Sequence, residues 1–175
     1  NGNHLTQILN DFLSISKLEE GKLEIHLERF DVIAFAKLFL KESFIGLKRE
    51  QTIILNTDSD SVIASLDRKL LTHILNNLLS NASKYSPAGS AIDLNIIQSE
   101  NNLSFEISDS GIGIPNEEQQ YLFSRFFRAQ NAVNIEGTGL GLNIVKHYTE
   151  LMGGTVTFDS EVNKGATFTV SFPKK

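Results

Sequence analysis

The stretch DRKLLTHILNNLLSNASKYSP, residues 67–87, constrains the fold more than any other part of this 175-residue chain. At about 100° per residue, Leu71, Ile74, Leu75, Leu78, Leu79 and Ala82 share one broad face. Such a face has to be buried against a second layer. Thr72, Asn76, Ser80 and Ser83 fall roughly opposite, while His73, Asn77, Asn81 and Lys84 form a third stripe along the border of the apolar face. Side chains on that border look into a cleft between layers. Asparagine is a modest helix former, so several in one helix point to a use, although an exposed surface position explains any single one. An amide oxygen is a hard ligand suited to Mg²⁺, and a lysine one turn on can meet the phosphates that such an ion bridges.

The second layer is written as alternation. Strands are expected at TIILN (52–56), VIASL (62–66), AIDLNII (91–97), LSFEISD (103–109), GTVTFDS (154–160) and ATFTVSF (166–172). KLEIHLERF alternates Leu23, Ile25 and Leu27 as a further strand, and Asp31 is placed to cap a helix running to about Glu50. A short polar helix from Asn116 and a helix ending near Met152 complete the order. The chain opens with HLTQILNDFLSISKLEEG, in which Leu5, Ile8, Leu9, Phe12, Leu13 and Leu18 form a broad apolar stripe that stops at Gly21. That stripe needs a partner to cover it, either its own domain or a longer helical element. Strands and helices do not alternate as βαβ units, so the expectation is a mixed α/β layer and not a doubly wound parallel sheet.

Bulk properties remove several function classes. A net charge of -5 with no basic stripe gives no electrostatic case for nucleic acid. The absence of cysteine excludes disulfides, zinc ribbons and thiol nucleophiles, and fits a reducing compartment. No apolar run reaches membrane-spanning length.

Two further segments carry chemistry. In LSFEISD, Leu103, Phe105 and Ile107 point to one face and Asp109 falls in phase with them, so a carboxylate ends an inward-facing apolar row. It needs a hydrogen-bonding partner there; the exocyclic amine of a flat ligand is one candidate and an Asx turn over Gly111 is another. DSGIGIP then sets Gly111 and Gly113 where backbone can pass close to a ring. In EGTGLGLNIVKH (136–147), Gly137, Gly139 and Gly141 precede a helix carrying Ile144, Val145, Tyr148 and Leu151. The segment matches neither G-x-x-x-x-G-K-[ST] nor G-x-G-x-x-G. The free N–H groups of that helix start would suit an anion, and an unliganded connector explains the same glycines equally well.

Taken in order, NLLSNASKYSP (77–87), DSGIGIP (109–115), FSRFFR (123–128), GTGLGL (137–142) and GATFTVSFP (165–173) resemble the catalytic, ATP-binding domain of sensor histidine kinases of two-component systems. They match its asparagine-rich box, first glycine box, phenylalanine box and second glycine box, and the resemblance covers nearly the whole chain. It implies the two-layer α/β sandwich of the histidine kinase, gyrase and chaperone ATPases, a mixed sheet with helices on one face, preceded here by an N-terminal helix. Residues 1–21 would be the C-terminal part of the second dimerisation helix, which belongs to the phosphoacceptor unit, and 22–175 the catalytic ATP-binding domain.

By the same resemblance, Asn81 binds Mg²⁺ and Asn77 supports that site, while Lys84 and Tyr85 contact phosphate and nucleotide. Asp109 reads the adenine amino group, helped through water by Thr167, whose phase sets it on the face opposite Phe168 and Val170. Gly111, Gly113 and Ile114 line the nucleotide, and Gly137, Thr138, Gly139, Leu140, Gly141 and Leu142 close over its phosphates. Arg128 neutralises the terminal phosphate, which makes Arg128, Lys84 and Asn77 the catalytic set. Residues 129–136 would form much of a lid.

The family's phosphoacceptor histidine lies on the preceding helix. His4, His26, His73 and His147 are followed by Leu, Leu, Ile and Tyr, without the acidic residue and proline of the acceptor pattern. His73 is read as a hydrogen-bonding residue at the pocket edge. Related ATPases place a glutamate one turn before the magnesium asparagine to activate water; here that position is Asn77, and an amide is no general base at neutral pH. The resemblance therefore implies transfer of the γ-phosphate of ATP to a histidine, relay to a response-regulator receiver domain, and slow hydrolysis. A non-catalytic ATP-sensing module of the same fold is the alternative. The implied partners are the dimerisation helix and the response regulator, in a cytoplasmic domain of a homodimeric protein that can carry a membrane anchor; the chain alone can be a monomer.

Overall fold

The computed structural model describes residues 2–21, 23–43, 50–124 and 141–174. Helix α1 (Gly2–Glu19) is followed by β1 (Glu28–Asp31), α2 (Val32–Leu38) with a π-helical turn over Phe39–Ser43, β2 (Thr52–Thr57), β3 (Ile63–Leu66) and α3 (Arg68–Tyr85). Strands β4 (Ala91–Gln98) and β5 (Asn102–Ser108), a 3₁₀ turn (Asn116–Tyr121), α4 (Gly141–Leu151), β6 (Thr155–Glu161) and β7 (Gly165–Pro173) complete it. The main sheet runs β2-β4-β5-β7-β6. β2 pairs parallel with β4 and every other pair in it is antiparallel, so the sheet is mixed, as expected.

The two layers meet where the patterns say they must. Ile92, Leu94 and Ile96, then Leu103, Phe105 and Ile107, then Phe168, Val170 and Phe172 are buried on one face of the sheet. They join Leu71, Ile74, Leu75, Leu78, Leu79 and Ala82 of α3 and Ile144, Val145 and Tyr148 of α4 in one core. Each such leucine or isoleucine contributes about 1.5–3 kcal/mol on burial. The other face of the sheet is a polar ladder, in which Asn56 donates to Asn95 at 2.8 Å, Asn95 to Glu106 at 2.9 Å, and Ser104 to Ser171 at 3.0 Å. One dry face and one wet face are what an antiparallel-rich sheet allows.

Three expectations are corrected. The strand drawn through Leu23, Ile25 and Leu27 begins only at Glu28, because its partner β3 is four residues long and the register ends at Glu28↔Leu66. Ile25 and Leu27 are exposed. The helix capped by Asp31 does not reach Glu50: α2 stops at Leu38, gives way to a π-helical turn, and Glu50 has φ +62°, outside any right-handed helix. Residues 44–49 lie outside the described residues. Ser83, placed on the face away from the core, is buried, since its hydroxyl donates to Gln51 Oε1.

Asp67 anchors α3 from below. Its Oδ1 accepts from Lys69 N at 2.9 Å and Leu70 N at 3.1 Å, a regular N-cap. Its Oδ2 accepts the His26 amide at 2.9 Å, and its own amide donates to Met152 Sδ at 3.4 Å. One side chain and its backbone thus join the segment after α1, the start of α3 and the end of α4. The N-terminal helix rests on α4, and Ile15, Leu18 and Glu19 share a groove with His147, Glu150 and Leu151. Leu9, Phe12 and Leu13 on its remaining surface are at least half exposed.

Candidate nucleotide site

The border stripe of α3 lies beside the core, as its phase requires. Asn77, Asn81, Lys84 and Tyr85 are half-buried, while His73 is exposed and meets the ring of Tyr148 on α4 edge-on at 5.8 Å between centroids. Two other elements close on this stripe. At one end, Gly141, the first residue of α4, lies so close to Asn77 that a Cβ there would be 3.2 Å from its Oδ1. At the other, the loop after β5 docks on the last turn of α3, where the Ile112 amide donates to the Tyr85 carbonyl at 3.1 Å.

The glycines of DSGIGIP have a use that sequence alone does not reveal. A Cβ on Gly111 would fall on the Tyr85 carbonyl, and one on Gly113, whose φ is +70°, would fall on the Glu161 carbonyl. Their close approach is to the protein's own backbone. The loop is held from the β6–β7 side as well: Asn163 N donates to Ile112 O at 2.8 Å, and Ile114 N to Ser160 Oγ at 2.9 Å. Ile114 packs against the core.

Asp109 sits within this frame. Its Oδ1 accepts the amides of Gly111 at 2.8 Å and Ala166 at 3.2 Å, so the Asx turn over Gly111 is present. Its Oδ2 accepts no hydrogen bond from the described residues. Burial pushes the carboxyl above the usual aspartate range, and the two amide bonds only partly offset that rise. The contact from β7 to this carboxylate is the Ala166 amide. Thr167 lies on the face opposite Phe168 and Val170 and shares a 2.8 Å hydrogen bond with Ser108.

Leu142 packs against the core at the start of α4. Arg128, Gly137, Thr138, Gly139, Leu140 and the 129–136 segment lie outside the described residues. Among the described residues no group of three or more His, Cys, Asp or Glu side chains could hold a metal, so an ion here would need the ligand's own oxygens. Asn81, a half-buried amide one turn from Asn77, suits an ion of that kind.

One positioning residue was not apparent from sequence. Gln51, buried at the foot of β2, donates through Nε2 to the carbonyls of Ser83 at 3.1 Å, Ser86 at 3.2 Å and Pro87 at 3.1 Å. It ties together three carbonyls at and just beyond the end of α3, two of which also accept from backbone amides, Ser83 from Ser86 and Pro87 from Ser90. Lys84 and Tyr85 lie inside the turn it holds. Only its place before a strand, 32 residues from Ser83, could have pointed to it.

A family model described as histidine kinase-, DNA gyrase B-, and HSP90-like ATPase matches residues 66–175, the part of the chain that builds all of this geometry except β2 and Gln51. The chain belongs to that family. Within it, the chain is similar to histidine kinases of two-component systems. It is 34% identical over 99% of its length to the circadian input-output histidine kinase CikA of Synechococcus elongatus, and 30% identical over 98% to the sensor histidine kinase WalK of Bacillus subtilis. It spans only 24% and 29% of the lengths of those two relatives. Among solved structures, full-length ShkA in complex with AMPPNP superposes with a TM-score of 0.81 at 27% identity, covering 99% of this chain and 36% of that one. The histidine kinase AdeS of Acinetobacter baumannii does so with a TM-score of 0.72 at 25% identity, covering 95% and 77%. The domain described here therefore has the α/β sandwich of that ATPase family. No helix among its described residues is long and apolar enough to cross a membrane.

Proposed function

We propose that residues 22–175 bind Mg-ATP and transfer its γ-phosphate to a histidine on a dimerisation helix, of which residues 1–21 form the C-terminal part, for relay to a response-regulator aspartate. The observation that carries this reading is Asp109: a half-buried carboxylate with Oδ1 committed to two amides and Oδ2 left to accept from an amine. From the Asp109 end to the α4 end, the stripe Tyr85, Lys84, Asn81, Asn77 covers about 12 Å of helix. That length suits a nucleotide with its base at Asp109 and its phosphates toward Gly141.

In this reading Asn81 holds the magnesium ion with Asn77 in support, and Lys84 and Tyr85 meet phosphate and nucleotide. Gly111, Gly113 and Ile114 shape the base pocket, Thr167 assists Asp109 through water, and Gly137–Leu142 cover the phosphates while Arg128 neutralises the terminal one. The ion, when bound, screens the phosphate oxygens against the incoming nucleophile. The domain would act on the cytoplasmic side within a homodimer.

Supplying the acceptor helix in trans tests the reading. Acid-labile phosphate should appear on its histidine, while the chain alone hydrolyses ATP at a negligible rate because Asn77 cannot activate water. Brisk hydrolysis would refute the role of Asn77, and ATP binding without transfer to a competent acceptor would favour a nucleotide sensor. A second measurement isolates the metal. Asn81→Ala should remove the Mg²⁺ dependence of nucleotide affinity, costing about tenfold at millimolar magnesium and little in EDTA. Intact magnesium dependence in titration calorimetry would put the ion elsewhere.

A further inference from the structure

Asn143, the third residue of α4, is 8% exposed. Its Nδ2 donates to the Phe123 carbonyl at 2.8 Å, a bond that spans 20 residues of chain. Its Oδ1 is buried and has no hydrogen-bond partner among the described residues. Turning the amide over would set oxygen against the Phe123 oxygen, so the donor is committed and the acceptor is stranded. A leucine has the same branched shape and would remove the stranded oxygen, while giving up the donor to the Phe123 carbonyl. A buried acceptor left unmade destabilises the fold, and groups that break a packing rule at a cost tend to sit where function requires them.

The requirement is visible in what the bond holds. The first turn of α4 has N–H groups with no partner inside the helix, and their direction is set by where that turn sits. Two contacts fix it from the sides: Gly141 pressed on Asn77, and Asn143 braced on Phe123. The ring of Phe123 is in turn packed edge-on against Phe158 at 5.9 Å and Phe168 at 6.5 Å, so the brace ends on the rigid sheet.

We propose that Asn143 is a positioning residue for the phosphate end of the nucleotide: a strut from the sheet to the first turn of α4 that holds its amides on the phosphates without itself touching the base. This rests on the nucleotide reading above. Affinities for adenosine, ADP and a nonhydrolysable ATP analogue, measured with Mg²⁺ on the whole 175-residue chain, separate a strut from a general structural role. Asn143→Leu exchanges the stranded Oδ1 for an unpaired Phe123 carbonyl and is expected to change the melting temperature little, to lose about tenfold in affinity for the ATP analogue and less for ADP, and to leave adenosine unchanged. Asn143→Ala should repeat the same gradient at a lower melting temperature, and it decides the matter if the leucine variant does not fold.

Equal losses for all three ligands, or an unchanged ratio of ATP-analogue to adenosine affinity, would overturn the assignment while leaving the nucleotide site intact. Failure of the wild-type chain to bind any of the three would overturn the nucleotide reading and the strut with it.

Discussion

Asp109→Asn is expected to weaken nucleotide binding about 100-fold and, at the same time, to make the folded chain more heat-stable at neutral pH. The first effect follows from donor and acceptor arithmetic. A carboxylate offers acceptors only, whereas an amide that keeps its oxygen on the Gly111 and Ala166 N–H groups presents its NH₂ to the ligand's amine. Losing a charge-assisted bond and gaining a donor clash is worth about 3 kcal/mol. The second effect follows from the sign of the pKa shift. Burial raises the folded-state pKa of Asp109 above its unfolded value, so its stabilising contribution is complete below the unfolded pKa and is lost as pH rises through the folded one. Asparagine never ionises, and the melting-temperature gap between variant and wild type should widen with pH across that interval. Wild-type affinity for adenine nucleotides should also fall as pH drops toward the raised pKa, earlier than for an ordinary aspartate. An affinity indifferent to the substitution would remove Asp109 from the pocket.

Gly165→Ala should destabilise the domain by about 4 kcal/mol, the sum of backbone strain and steric overlap. Gly165 has φ +93°, and a Cβ there would fall on the Asp109 carbonyl. Relief requires the start of β7 to back away, and the neighbouring Ala166 amide is one of the two that fix the Asp109 carboxylate. Nucleotide affinity should therefore fall with stability. Gly153, at φ +79° with open space around its Cβ position, is the control: its alanine variant bears strain alone, about 1 kcal/mol. If denaturant midpoints place the two variants together, the packing of Gly165 on Asp109 is not as described.

What the sequence made legible was whatever repeats within one element. The apolar face of α3 needs only its own period, and so does the buried row Leu103, Phe105, Ile107 that carries Asp109 inward. What depended on a distant partner was not legible. The alternation at Leu23, Ile25 and Leu27 is as regular as that of β5, yet no strand lies opposite it. Ser83 has a polar side chain on a face that looks external until Gln51 arrives from β2. The glycines of DSGIGIP announce close approach but not to what, and the answer, the carbonyls of Tyr85 and Glu161, lies 26 and 48 positions away by residue number. Asn143 reads as one more polar residue in an amphipathic helix until Phe123 is seen beside it.

The bond from the His26 amide to Asp67 also has a mechanical meaning. The opening helix ends at Glu19, and Gly21 turns the chain out of it with φ +66°. From His26 onward the backbone is stapled to the base of α3. Any swing of that helix relative to the rest of the fold must then be absorbed by the stretch from Gly21 to His26, which even fully extended reaches about 17 Å. So short a tether makes the lever arm stiff: it permits a pivot, forbids wandering, and keeps whatever the helix brings with it within arm's length of the cleft.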